Sequence, residues 1–528
     1  MWKSRHRFVL IVTYVFIFLA IFLYARSTPA KAVLRPGAVR QTPSLSPSQD
    51  SRTGKELDPP KTGDSSCHAD PNRLRKLKEQ YELTSTFQYA KRLVRFVRQS
   101  DVQRTSMTEV AQRLLHKDFQ SIPNRPQASL NRAPCPEPIN VLVSVSGLPK
   151  TVNASELMFG VSTTYPRLME SSTTILNDWS FWLTDGYGRS NGGKLILMLV
   201  DAQEEDLQNA QRLLREAGID ADTFTSDASL PMAARNLALV PTMYRHPDSK
   251  TKKWLALCDD DTFFPNMHAL IDKLHSFDAR SDMYVGGLSE DGFAVEKHGR
   301  QAFGGAGVFL SRPAAEKIAQ HFDECSSEET VAAADWQGDR LLRQCVSEHS
   351  HIELTALPDL WQLDMFDDPS GFYEWGIKPL SIHHYRSWHT ANPSHLTRLA
   401  RICGEDCTGQ RFHTADDFII SGYSIAQYPE GIDFNTSQVE RTFRSEKDVG
   451  TNFDDKMGTQ RASLHKTGKK LAWALVEARL QDDGTVLQTY VGRANDTRWV
   501  TAQGRPLREQ DSVIELVWMP SPGPSPID

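Results

Sequence analysis

From residue 139 onward the chain alternates strongly apolar runs with helix-patterned segments, and this alternation restricts the fold more than any other feature. Ile139–Val145 and Leu157–Val161 are short apolar runs, and Lys194–Val200 (KLILMLV) is a continuous one ending at Asp201. A helical pattern over 204–216 follows and closes at Gly218, and Lys253–Cys258 (KWLALC) is again apolar after its first residue, leading to a helix over 267–277. Apolar runs without polar alternation mark strands buried on both faces, so the pattern predicts an α/β fold with a largely parallel central sheet. Ligands of such sheets collect beyond the carboxyl ends of the strands. Asp201 and the triplet Asp259-Asp260-Asp261 stand at two such ends. No internal repeat interrupts the pattern.

The aspartate triplet carries the chemistry. Three adjacent carboxylates at a strand end repel one another unless a cation sits among them. Alternate residues of an extended stretch point the same way, so Asp259 and Asp261 can face one ion while Asp260 points elsewhere and supports the loop. Hard oxygen ligands suit Mn²⁺ or Mg²⁺, which in turn hold a diphosphate. The bland reading is an acidic loop capping the 267–277 helix. Downstream, Gly304, Gly305 and Gly307 in FGGAGVFLS (303–311) permit a close backbone approach, as a sugar or phosphate site requires, although such turns are also simply tight. Asp335 and Asp339 precede an amphipathic helix, and Lys378–Tyr385 is a strand ending in His383-His384.

The N-terminus sets the compartment. Phe8–Tyr24 is a charge-free run just long enough to span a bilayer, preceded by Lys3, Arg5 and Arg7. The positive-inside rule then keeps residues 1–7 cytoplasmic, makes 8–24 a signal anchor and sends the rest across. A cleaved signal peptide is the competing reading, with Ala30-Lys31-Ala32 as a small-x-small site. The sequons at Asn153, Asn435 and Asn495 and the seven cysteines agree with a lumenal location. Cys325/Cys345 and Cys403/Cys407 are the expected bridges by proximity, with Cys258 a buried thiol. Residues 25–66, rich in Pro, Ser and Thr, read as a flexible stem. Over 67–138, Leu74, Leu77, Tyr81, Phe87, Ala90, Val94 and Val97 recur at helical spacing, predicting a pair of stem helices or a membrane-surface or partner-binding helix. Residues 139–409 form the main domain, and 410–528 read as a β-rich extension with strands near 418–423, 471–478, 486–491 and 512–518. A hairpin turn is expected at Asp482-Asp483-Gly484. The formal net charge of -6 and the absence of a basic stripe exclude a nucleic-acid partner.

The ordered set FGVSTT (159–164), LVDAQEEDL (199–207), WLALCDDDTFF (254–264), YVGGLSE (284–290), FGGAGVFLS (303–311), GDRLLRQCV (338–346) and PLSIHHY (379–385) resembles the Fringe-related glycosyltransferase family 31. Residues 362–389 resemble its fungal members in particular. The resemblance spans about residues 140–430 and implies a GT-A fold, a UDP-sugar donor, Mn²⁺ (or Mg²⁺), inversion with a β-1,3 linkage, and a single-pass type II Golgi membrane protein acting on a glycan or glycoprotein acceptor. It implies metal ligation by Asp259 and Asp261, with Asp261 the direct ligand, and by His383 or His384, the former favoured. It puts the base at Asp339, with Asp335 as the alternative, and departs from the family's acidic pair at Gly338. Helix capping is the bland role for Asp339. Thr163, Thr164, Arg167, Asp201, Asp259, Asp260, Gly304 and Gly305 are the donor-binding candidates, and Glu374 and Trp375 the sugar or acceptor pocket. Thr163, Thr164 and Arg167 can equally be loop residues, Asp201 a strand-end cap, and Trp375 core. Two further function classes stay open: a metal-dependent phosphoester hydrolase, for which no second ligand cluster is visible, and a non-catalytic sugar-binding scaffold retaining the fold.

Overall fold

The computed structural model describes residues 67–115, 119–124, 135–170, 172–447 and 453–521. The cytoplasmic tail, the 8–24 span and the 25–66 stem lie outside these residues. Among the described residues no helix is long and apolar enough to cross a membrane.

The apolar runs of the main domain build a seven-stranded sheet. In chain order its strands are β1 (Leu157–Thr164), β2 (Lys194–Val200), β3 (Ala221–Ser226), β4 (Trp254–Cys258), β5 (Tyr284–Gly286), β6 (Val308–Ser311) and β7 (Leu354–Ala356). They lie side by side as β7-β5-β6-β4-β1-β2-β3. Pairs β1/β2, β2/β3, β1/β4 and β5/β7 are parallel; β6 alone runs against its neighbours β4 and β5. The expected parallel core is therefore a mixed sheet with one reversed strand.

Both faces are covered, which is why the runs show no polar alternation. In β4, Trp254, Ala256 and Cys258 enter one core with Phe159, Leu195 and Leu197. Leu255 and Leu257 enter the other with Met158, Ile196 and Leu310. Successive side chains of a strand point to opposite faces, so a strand between two helical layers must be apolar at every position. Each such Leu, Ile or Phe contributes about 1.5–3 kcal/mol of burial. On the first face lie α1 (Ser172–Leu183), α2 (Glu204–Glu216) and α3 (Met267–His275), through Trp179, Trp182, Ala210, Leu214 and Leu270. On the second lie α4 (Arg312–Gln320), the short α5 (Phe322–Cys325) and α6 (Gly338–Ser350), through Ala315, Ile318, Cys325, Leu341 and Leu342. The predicted helix over 204–216 is α2, residue for residue.

The second sheet differs from expectation at its N-terminal part. Pro71–Gln80 is the first of the two expected stem helices, but Phe87–Gln99 is a strand. It pairs in parallel with Ser512–Met519 and with Ile139–Ser144, and antiparallel with Gln120–Ile122. Phe87, Tyr89, Val94 and Phe96 are buried there. These aromatic and β-branched residues fit a pleated surface, and partners some 400 residues away in sequence override the helical spacing. Ile139–Ser144 thus belongs to this ten-stranded sheet rather than to the main one. The C-terminal strands form as Phe418–Ile420, Leu471–Leu480, Val486–Gly492 and Ser512–Met519. Disulfides join Cys325 to Cys345 and Cys403 to Cys407, and a third, which sequence proximity does not suggest, joins Cys67 to Cys135. Cys258 is free and buried.

Candidate active site

The aspartate turn leaves β4 at its carboxyl end and is held by Thr262. The Asp259 N–H donates to Thr262 Oγ1 at 2.9 Å, and that hydroxyl donates on to the Gly305 carbonyl at 2.9 Å. Phe263 and Ile382 then exchange both backbone hydrogen bonds, each at 2.9 Å. This single antiparallel bridge carries His383 to the turn. Its Nε2 lies 2.9 Å from Asp261 Oδ1 and 3.3 Å from Asp259 Oδ2. The alternation expected of the triplet is what the structure holds, with Asp259 and Asp261 on His383 and Asp260 turned away.

Burial opposes charge on the His383 ring, but the two carboxylates outweigh it and push its pKa up to about 10. Asp261 is buried as well, and the same pairing holds its carboxyl well below the usual range despite the cost of burial. Its second oxygen, Oδ2, is buried with no hydrogen-bond partner. Asp259 is half exposed. His384 turns from the triplet: its Nε2 faces Asp364 Oδ1 at 3.2 Å and its Nδ1 the Ser387 hydroxyl at 2.9 Å. Its ring stacks on Trp388, centroids 3.9 Å apart, and meets His383 at 3.8 Å with the planes tilted by 35°. Donor atoms of Asp261, His383 and His384 nevertheless fall within 4.8 Å of one another.

Asp260 anchors the turn. Arg167 clamps its carboxylate with two bonds of 2.6 and 2.7 Å, the Thr163 hydroxyl donates to it at 2.5 Å, and Arg386 donates to its carbonyl at 2.8 Å. Thr163 and Arg167, expected at the donor, thus act on Asp260, and Thr164 accepts the Arg167 N–H at 3.2 Å. Asp201 is exposed at the end of β2 in a left-handed conformation, φ 56°.

The glycines are explained by crowding rather than by open space. A Cβ at Gly305 would lie 2.1 Å from the His383 ring, and one at Gly304 would lie 2.8 Å from Asp339 Oδ1. Asp339 stands in the first turn of α6 and accepts the Gly304 N–H at 2.9 Å. Burial first, and the charge of Asp259 second, push its carboxyl up to about 7. Gly338, the departure from the family's acidic pair, sits against Asn236, which a Cβ would approach at 3.2 Å. Asp335 is not part of this cluster: it is exposed and pairs with Arg340.

Glu374 and Trp375 are also elsewhere. Glu374 accepts the Ser424 hydroxyl at 2.5 Å and the Lys470 ammonium at 2.6 Å, and Lys470 also bonds Glu440 at 2.8 Å. Trp375 packs edge-on against Trp361 and donates to the Ser437 carbonyl at 2.8 Å. Both tie the main domain to the C-terminal segment, and they line a small pocket with Arg411, Tyr428 and Glu440, a lining that includes neither the aspartate turn nor His383. Missed by sequence reasoning are Asp364, Arg386 and Asp178. The first two lie within or next to quoted motifs. Asp178 gives no signal: it sits in α1, fully buried, and accepts the Tyr385 hydroxyl at 3.1 Å.

Chemically, two carboxylates beside an imidazole, with an unpartnered buried oxygen, are a donor set that could hold a cation. The Asp339 carboxyl is held beside it on Gly304, the neighbour of the Gly305 that packs against His383. Residues 200–372 match the family model described as Fringe-like. No curated protein sequence matches the chain. Among solved structures it is similar to the apo form of mouse xyloside xylosyltransferase 1, at 14% identity and a TM-score of 0.26, over 38% of this chain and 84% of that one. It is similar also to a mannosyltransferase from Pyrobaculum calidifontis in complex with GDP-Man and Mn²⁺, at 12% identity and 0.26, over 41% and 58%. The galactosyltransferase LgtC in complex with donor and acceptor sugar analogues gives 12% identity and 0.31, over 46% and 92%. Asp259, Asp261 and Asp339 all lie inside the matched segment, and His383 follows shortly after it: residues 200–372 form a Fringe-like domain.

Proposed function

We propose that the chain is a GT-A-type, inverting, Mn²⁺-dependent enzyme. It moves a hexose or N-acetylhexosamine from a UDP-sugar to a hydroxyl of a glycan or glycoprotein, forming a β-1,3 linkage. The observation that carries the reading is the buried, unpartnered Asp261 Oδ2 beside Asp259 and His383, with Asp339 set across from them. A buried carboxylate oxygen without a donor is costly, and a cation satisfies it. Two carboxylates and an imidazole that gives up its proton on binding suit Mn²⁺. Asp259, Asp261 and His383 would hold the ion, which when bound offsets the charge developing on the departing diphosphate.

The remaining work falls to the chain. Asp260, fixed by Thr163, Arg167 and Arg386, keeps the turn rigid so that Asp259 and Asp261 hold their direction. Asp339 accepts the proton of the acceptor hydroxyl as that oxygen bonds to the anomeric carbon. The bond from that carbon to the diphosphate oxygen breaks on the opposite face, and the diphosphate leaves with the electron pair. One displacement inverts the centre. A base serves best with a pKa near the working pH, and burial raises the Asp339 carboxyl in that direction.

We further propose a Golgi lumenal location behind the 8–24 anchor. Three disulfides and the exposure of Asn153, Asn435 and Asn495 support it. The deciding experiment is a UDP-sugar panel scored for UDP release with and without acceptor. One sugar should give Mn²⁺- and acceptor-dependent release that Asp261→Ala abolishes. Release to water alone would reject transfer, and Mn²⁺-dependent UDP binding in Asp261→Ala would reject the metal assignment.

A further inference from the structure

At the opposite end of α6 from Asp339, three ligand-type side chains meet where α4, α5 and α6 converge. His321 follows the last residue of α4, Glu324 lies in α5, and His349 occupies the last turn of α6. The two imidazoles stack, with centroids 4.1 Å apart and planes 13° from parallel. Both Nδ1 atoms face one oxygen, Glu324 Oε2, at 3.5 Å from His321 and 3.8 Å from His349. His321 Nδ1 is buried and makes no hydrogen bond. All three donors lie within 4.8 Å of one another.

These separations exceed those of real hydrogen bonds. They are close to what an ion leaves between two of its ligands: bonds of about 2.0–2.2 Å at a tetrahedral angle set neighbouring donors about 3.4 Å apart. The frame is fixed. The Cys325–Cys345 disulfide joins α5 to α6 beside Glu324 and one turn before His349. Imidazole nitrogens favour Zn²⁺ over Mg²⁺ or Ca²⁺. The other group of this kind that carries a histidine and two carboxylates, Asp222, His246 and Asp248, is already filled by the Lys194 ammonium, 2.7 Å from Asp222 and 3.6 Å from Asp248.

We infer that His321, Glu324 and His349 form a second divalent-cation site, selective for Zn²⁺ and separate from the Asp259–Asp261–His383 site, with a fourth position open to water. An ion there ties the far end of α6, the helix that begins beside Asp339, to α4 and α5. The site requires nothing of the transferase reading and stands if that reading fails.

Zinc titration calorimetry on the full-length protein tests it, with Glu324→Gln, His349→Gln and Asp261→Asn as variants. Glu324 is 70% exposed, so its substitution leaves packing intact. The expected result is a Zn²⁺ binding event, with a rise in melting temperature, that persists in Asp261→Asn. It should weaken at least tenfold in Glu324→Gln and His349→Gln. Equal zinc stoichiometry, affinity and melting response in wild type and Glu324→Gln would overturn the assignment, as would loss of the event in Asp261→Asn alone.

Discussion

Replacing Gly305 by alanine sets a methyl group against the His383 imidazole. The new Cβ would lie 2.1 Å from both Cε1 and Nδ1 and 2.5 Å from Nε2. Carbon atoms rest about 3.5–4.0 Å apart, so ring or turn must move by roughly 1.4 Å. The ring has nowhere to go. Asp261 and Asp259 hold Nε2, Gln362 O lies 3.3 Å from Nδ1, and His384 covers one face at 3.8 Å. The turn is pinned too, because Thr262 donates to the Gly305 carbonyl. Gly305 is not among the glycines of positive φ, so the backbone accepts alanine and the effect is steric alone. Overpacking of this kind costs about 1–3 kcal/mol of stability. Displacing a ligand by about 1 Å costs on the order of 100-fold in rate. Calorimetry of Mn²⁺ with UDP, turnover and a melting curve together give the answer. The expected outcome is a folded protein of lowered melting temperature with Mn²⁺-dependent nucleotide binding weakened at least tenfold. Wild-type Mn²⁺ affinity and turnover in Gly305→Ala would refute the claim that this glycine exists to seat His383.

Two further predictions concern stability. Lys470 is fully buried between Glu374 and Glu440, so Lys470→Met leaves Glu374 without its cation and Glu440 with Arg461 alone; denaturant unfolding should show a loss of about 3–5 kcal/mol. The Asp178 carboxyl is pushed up to about 7 by burial, against the pull of Arg386 and the Tyr385 hydroxyl. Folding therefore favours its protonated form. The stability it lends is full below the unfolded value near 4 and is lost as pH rises through 7, about 4 kcal/mol across that window. Asp178→Asn removes this titration, so its melting temperature should fall less between pH 5 and 8 than that of the wild type. Parallel profiles would contradict the buried-carboxyl account.

What the sequence makes legible is local. KLILMLV and KWLALC name buried strands, because a run with no polar residue after its leading lysine must have both of its faces covered. The aspartate triplet declares itself by charge density at a strand end. His383 does not: the bridge from Phe263 to Ile382 that delivers it joins segments far apart in sequence, and only the resemblance of the PLSIHHY motif points there. Phe87–Gln99 reads as helix because Phe87, Ala90, Val94 and Val97 keep helical spacing, while the strands that claim it begin at residues 139 and 512. Glu374 and Trp375 do line a pocket, but nothing near them in sequence announces their partners Lys470 and Ser437. Asp178 is the extreme case, a lone aspartate in an apolar helix whose meaning depends on Tyr385. Gly304 and Gly305 are legible as close-approach positions, but what approaches them is the protein's own Asp339 and His383.

The central claim is that the Asp259–Asp261–His383 cluster holds the donor while Asp339 takes the acceptor's proton. Asp339→Asn separates the two most directly. Asparagine keeps an oxygen for the Gly304 N–H, 2.9 Å away in the wild type, and removes only the base. The measurement pairs Mn²⁺-dependent UDP-sugar affinity with acceptor-dependent turnover in this one variant. The account predicts affinity within a few-fold of wild type and turnover reduced at least 100-fold, the scale expected of a lost general base. Turnover near the wild-type rate with the donor bound normally would contradict it.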